Sequence, residues 1–334
     1  MNMKTLWERT IVVLALAAGL PCPPAHAFAQ DSSIRRYAVE DVTPAGEKPD
    51  EACLALAVSL AFDADRVYVA DAEDCAIKIF SKSGRFAATA GRKGQGPGEL
   101  SFPSGVSVLG GRLFVADKFN RRIQVLDAAG RYLSGFAVPF SPDRIIVLAA
   151  DRILVTHNPT GRQGSEKRLH VFDRAGRLLQ EALPSQPSGD AVYDAFLNMI
   201  LAAAGPRGEF FIVRRCQERT ILRYGGNGEL LETIPVDERY VFKPLTLPVQ
   251  GPRKTIDGFC WDFSFDRDRF YLLAPAYTEE KDLGPGDQIS VLDAGGRLEA
   301  RIDLPVRVGK AAVDGDRIYA VDREGDLRVF RIVR

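Results

Sequence analysis

Few residues in this chain are typed and spaced for catalysis. Beyond residue 29 the imidazoles are His157 and His170, too few and too scattered to build a metal centre from histidines alone, since such a centre needs three or four converging ligands. No GxSxG or HExxH frame is present, so neither a strained nucleophile turn nor a zinc-binding helix is expected. The stretch GRKGQGPGEL (91–100) has the glycines to expose backbone N–H groups, with Arg92 and Lys93 beside them, a composition that suits an anion. No helical pattern follows it and no GK[ST] or GxGxxG frame is present, so it reads first as a connection between modules. Tyr193, Phe196, Tyr240, Phe242, Trp261 and Tyr277 gather in long polar segments near Arg253 and Lys254. Rigid aromatics beside cations suit recognition, and the plainer reading is that they pack those segments down.

Composition narrows the classes. The 334 residues carry 44 basic and 44 acidic side chains with no basic block, which argues against a nucleic-acid groove. The first 29 residues join a charged start (Lys4, Arg9), an apolar run from Ile11 to Leu20 and small residues at Ala25, Ala27 and Ala29, the parts of a cleavable secretory signal. Export to the periplasm or the cell exterior is expected, with a lipid anchor on Cys22 disfavoured by Pro21. No later segment reads as a transmembrane span. Cys53, Cys75, Cys216 and Cys260 then remain, and an even number in an exported protein reads as two disulfides, with three pairings open.

The elements that must position these residues are legible from Gly91 to Leu133. A Gly-rich connection leads into GVSVL, a GG turn, RLFVAD, the polar turn KFNR, RIQVLD, the turn AAGR and the start of a fourth run. Short branched and aromatic runs punctuated by Gly and Asn/Asp turns predict four antiparallel strands. One such sheet cannot bury its own faces. Runs like RLFVAD recur from Arg66, Arg152, Glu209, Arg269 and Arg317, each preceded by an apolar run and followed by a second recurring run. Six modules result. Asp71, Asp117 and Asp322 close the run in three of them and predict a turn-stabilising carboxylate, whereas His157 stands at that place in the third. His170 lies within a strand and reads as packed or solvent-facing.

Over the segment that contains GxxGxGPGEL, FPSGVSV, RLFVAD, Asn120, RIQVLD and Gly130, the chain resembles the NHL-repeat six-bladed β-propellers. The resemblance implies an all-β ring of six four-stranded antiparallel blades over residues 30–334, with blades from about residue 53. The last module ends without a fourth strand, and Ser33–Val42 is a spare extended segment, so the N-terminal strand is expected to complete the last blade. In propeller order the connections D-to-A and B-to-C share a face. The long segments 184–198, 236–258, 157–168 and 275–288 all fall there. Cys53 with Cys75 and Cys216 with Cys260 would then be the disulfides. Binding on that face would draw on Arg92, Lys93, Asn120, Arg121, His157, Tyr193, Arg253, Trp261 and Tyr277. The leading expectation is a non-catalytic module without cofactor that recognises a protein, peptide or glycan. The alternative is a calcium-assisted lactonase- or lyase-like site built from Glu51, Asn198 and Asp262 at the starts of inner strands.

Overall fold

RVYVAD, RLFVAD and RIYAVD become strands because their branched and aromatic residues are buried on both faces, leaving only the leading arginine in water. The computed structural model describes residues 34–45, 48–149, 151–157, 167–186, 188–216, 218–240, 242–247, 254–277 and 283–333. The expected signal segment, residues 1–29, lies outside them.

Blade 1 is built from Ala57–Phe62, Arg66–Asp71, Ala76–Ser81 and Phe86–Ala90, and blade 2 from Pro103–Leu109, Arg112–Asp117, Arg122–Asp127 and Tyr132–Ala137. Blade 3 uses Ile145–Ala149, Arg152–Thr156, Lys167–Phe172 and Leu178–Pro184; blade 4 uses Ile200–Ala204, Phe210–Arg214, Thr220–Tyr224 and Leu230–Pro235. In blade 5, Asp262–Asp266, Arg269–Leu273 and Gly286–Asp293 pair in turn with the first part of the long strand Leu298–Asp314. The second part of that strand is the inner strand of blade 6, followed by Arg317–Asp322 and Leu327–Val333. Arg35–Asp41 lies outermost, antiparallel to Leu327–Val333 with Ala38 opposite Val333 and Asp41 opposite Phe330.

Six apolar cores fill the six boundaries between successive blades. The core between blades 6 and 1, for instance, joins Tyr319, Val321 and Val329 to Val67, Val69 and Phe80. Sheets that cannot bury their faces alone therefore bury them against each other. Around the channel, inner strands are stitched by side chains. Ser59 Oγ accepts from Val106 N at 3.2 Å, Ser107 Oγ from Val147 N at 3.1 Å, and Asp262 Oδ2 from Ala311 N at 3.1 Å. Gly130 holds the tight turn of blade 2 at φ 81°, and a Cβ there would lie 2.5 Å from Ala90 Cβ, so the turn can sit against blade 1 only as glycine.

The long connections emerge on one face. A short helix, Ala191–Leu197, lies between blades 3 and 4, and a hairpin, Lys243–Leu247 with Lys254–Gly258, lies between blades 4 and 5. Tyr277, in the B-to-C connection of blade 5, donates its hydroxyl to Pro244 O of that hairpin at 2.9 Å.

Candidate functional site

In the regular blades the recurring aspartate is consumed by structure. Asp71 is fully buried and accepts the backbone N–H groups of Ala55 and Leu56 at 2.8 and 3.0 Å. Asp117 accepts Ser101 N at 2.7 Å, Asn120 Nδ2 at 2.8 Å, Arg122 Nε at 2.8 Å and Gln124 Nε2 at 3.1 Å. Asp322 receives Asp326 N and Arg328 Nε. Asp71 and Asp117 hold the entry of their inner strand, Asp322 holds the following turn and strand, and charge-assisted bonds of this kind are the strong ones.

The Gly-rich connection already holds an anion, its own. Glu99 Oε2 accepts Gly96 N at 2.9 Å and Gln95 N at 3.1 Å, while Oε1 accepts Nη2 and Nε of Arg92. These bonds, the Gly96 N–H first and Arg92 next, hold the Glu99 carboxyl below its ordinary range. A Cβ at Gly94 would lie 2.2 Å from Glu99 Oε2, so the glycines serve this internal carboxylate. Asn120 Nδ2 donates to Gly94 O at 2.9 Å and Arg121 Nη2 to Pro139 O at 2.5 Å. Arg92, Asn120 and Arg121, expected on the binding face, thus spend these polar atoms within blade 2, and Arg92 stays exposed. Lys93 is exposed.

Blades 3 and 4 break the pattern. His157 occupies the aspartate position of blade 3 and Arg214 that of blade 4. The register of blade 3 matches that of blade 2: Thr156 faces Leu169 as Ala116 faces Ile123, which sets Arg168 where blade 2 has Arg122. His157 N donates to Arg168 O at 3.0 Å. The His157 ring donates from Nδ1 to Ser141 O at 3.0 Å, and burial holds the imidazole below its ordinary pKa. Arg168 and Arg214 are both 4% exposed. Arg214 is compensated by Glu218, whose Oε1 lies 3.0 Å from Nε, and it donates to Pro184 O at 3.2 Å. His170 stacks on Phe140 at 4.1 Å and sits 3.0 Å from Glu181, which makes it packed rather than solvent-facing.

At the channel mouth on the same face, cations converge from several blades. Arg144 Nη2 lies 3.4 Å and Lys310 Nζ 3.8 Å from Asp262 Oδ1. Lys118 Nζ lies 3.2 Å from Asp143. Arg215 is placed over the Trp261 ring at 4.7 Å and donates Nε to Cys260 O at 3.4 Å. Burial pushes the Lys310 ammonium down to about 8, with Arg144 and Arg215 adding to the fall and Asp262 opposing it. Sequence reasoning missed Lys118, Arg144, Arg168, Arg214, Arg215 and Lys310. The signal available was the run EFFIVR, whose final Arg214 stands where other modules end in aspartate.

The remaining expectations divide. Tyr193 and Phe196 pack on the cluster of Leu197, Cys216 and Ile256, and Trp261 is half-buried beneath Arg215. Tyr277 is exposed and joins two connections. Arg253 lies outside the described residues. The proposed calcium set does not fit. Asp262 faces two cations and a backbone N–H, Asn198 spends Oδ1 on Gln186 N and Nδ2 on Gln186 O and Asp194 O, and Glu51 lies exposed at a turn of blade 1. Among the described residues no three His, Cys, Asp or Glu side chains are grouped to hold a metal. The expected disulfides are also corrected: Cys53, Cys75, Cys216 and Cys260 are free thiols. Cys53 is exposed after its turn, while Cys75 is buried with Sγ directed at Ala72 O, 3.6 Å away.

Comparison with known proteins agrees with this architecture. Residues 49–193 match a sequence family described as a 6-bladed beta-propeller. The chain is a six-bladed β-propeller. A Bacteroides fragilis protein described provisionally as exported is similar at 13% identity and TM-score 0.58, covering 90% of this chain and 99% of that one. A Bacteroides vulgatus protein of the DUF4221 family is similar at 11% identity and TM-score 0.60, covering 88% and 98%. A streptogramin B lyase is similar at 12% identity and TM-score 0.51, covering 89% and 98%. At these identities the likeness is one of fold, which by itself assigns no activity. No curated protein matches the chain. Among the described residues no helix is long and apolar enough to cross a membrane.

Proposed function

We propose that the chain is an exported, non-catalytic propeller of NHL type that binds a protein, peptide or glycan through acidic groups presented to the face bearing the long connections. The observation that carries this reading is the channel mouth, where Lys118, Arg144, Arg215 and Lys310 meet, among the described residues, Asp143 and Asp262 as close counter-charges. A low-dielectric funnel lined by one sign of charge concentrates ligands of the other sign. The N-terminal pattern of residues 1–29 supports export. The NHL assignment rests on the regular module from Gly91 to Leu133. The calcium-dependent alternative draws no support from a carboxylate already faced by Arg144 and Lys310.

Isothermal titration with polyglutamate and with hyaluronan tests the reading. Changing Arg144 and Lys310 together to Ser is expected to weaken the bound polyanion at least tenfold, while Arg112→Ser on the opposite face leaves binding unchanged. Equal affinity in all three proteins would overturn it.

A further inference from the structure

In blade 2 the Arg122 guanidinium is neutralised by Asp117 at 2.8 Å. In blade 3 the equivalent arginine has lost that partner. Arg168 is 4% exposed, its Nε and Nη1 have no hydrogen-bond partner, and no carboxylate of the described residues lies within ion-pair distance. The nearest ionic neighbours make matters worse. Arg214 of blade 4 repels it, and burial together with that repulsion pushes the Arg168 guanidinium down to about 10. Arg214 is already matched by Glu218. His157 is neutral, with Nδ1 spent on Ser141 O and a buried Nε2 that has no partner. Leaving one member of a buried ion pair without the other is strongly destabilising, so an arginine so placed calls for a counterion that the described residues do not supply.

We propose that the boundary of blades 3 and 4, on the face bearing the long connections, is a binding site for a single carboxylate group, with Arg168 as its counter-charge. The uncompensated charge at this place is one, since Arg214 has Glu218 and His157 is neutral, and this matches a carboxylate rather than a phosphate dianion. His157 Nε2, an acceptor in this tautomer, would receive a hydroxyl next to that carboxylate, as a sugar acid offers and a glutamate side chain does not. The site adjoins the channel mouth, since Asp143 and Lys118 act on the His157 imidazole, but it rests on Arg168 and does not depend on the polyanion reading.

The test reads thermal unfolding of the whole chain in N-acetylglutamate amide, in glucuronate, and in chloride and phosphate at matched ionic strength. Both carboxylates are expected to raise the Tm of the native protein saturably, with chloride and phosphate without effect, and a stronger response to glucuronate would identify a sugar acid as the source. Arg168→Met removes the stranded charge, and His157→Asp restores the partner seen in blade 2. Either change is expected to raise the Tm in the absence of ligand by a few degrees and to abolish the response to carboxylates. A native protein that ignores both carboxylates, or variants that keep the response, would overturn the site. The Arg144 and Lys310 changes leave this response intact, which keeps failure here distinct from failure at the channel mouth.

Discussion

Where blade 2 ends its second strand in Asp117, blade 3 has His157 just past Thr156, and the arginine across from each is Arg122 or Arg168. In blade 2 the pair closes on itself, with every oxygen of the carboxylate engaged and the Gly-rich connection drawn in through Asn120 and Arg122. In blade 3 the backbone register is kept while the charge balance is not. The same scaffold position ties blade 2 together through an aspartate, whereas with His157 there the facing Arg168 keeps Nε and Nη1 without a partner. Blades that follow the repeat most closely are thus the structural ones, and departures from it mark the face to examine.

The comparison breaks most sharply if the aspartate is removed from a regular blade. Asp117→Ala strands Arg122 and frees the Ser101 N–H, and a cost of about 3–5 kcal/mol is expected in denaturant unfolding. A cost below about 1 kcal/mol, the range of an exposed pair, would show that the network is ornamental. A smaller effect comes from the buried imidazoles of blade 3. His157 and His170 are held below their ordinary pKa, chiefly by burial and against the pull of Asp143 and Glu181 respectively. The unfolded chain therefore takes up protons first as the pH falls. Stability is full at pH 7 and declines as the pH falls below about 6.5, and His170→Gln should flatten the Tm profile between pH 7 and 5.

How far the sequence carried this picture follows from the same contrast. RLFVAD and its copies were legible because strands buried on both faces read as unbroken apolar runs, and the spare N-terminal segment was legible because the last module lacked a strand. The Gly-rich connection misled in part: its glycines do expose N–H groups, but Glu99, eight residues beyond Gly91, fills them. The basic residues were hidden because Arg144, Arg168, the adjacent Arg214 and Arg215, and Lys310 come from several blades and approach only through the ring. Packing, the plainer reading of aromatics such as Tyr193, shows its partners only in space, in Leu197 and Ile256.

Two lesser tests sharpen the contrast between surface and core. With Lys310 near a pKa of about 8, the channel mouth loses a charge as the pH rises from 7 to 9, so polyanion affinity should fall several-fold over that range. Lys310→Arg should remove the dependence, since arginine stays charged. Thiol labelling gives the smallest signal. Exposed Cys53 should react first, while Cys216, pushed up to about 11 by burial, and Cys260, pushed higher still, should react only on unfolding.

The claim that ligands enter by the face of long connections is tested most directly by amide hydrogen exchange with and without saturating hyaluronan or polyglutamate. Protection is expected to rise in the segments 141–144, 154–157, 214–216 and 259–262 and at the start of the inner strand of blade 6, residues 308–311. The turns on the opposite face, at 63–65, 110–111, 267–268 and 315–316, should be unchanged. Protection gained at those turns, or at neither face, would contradict the account.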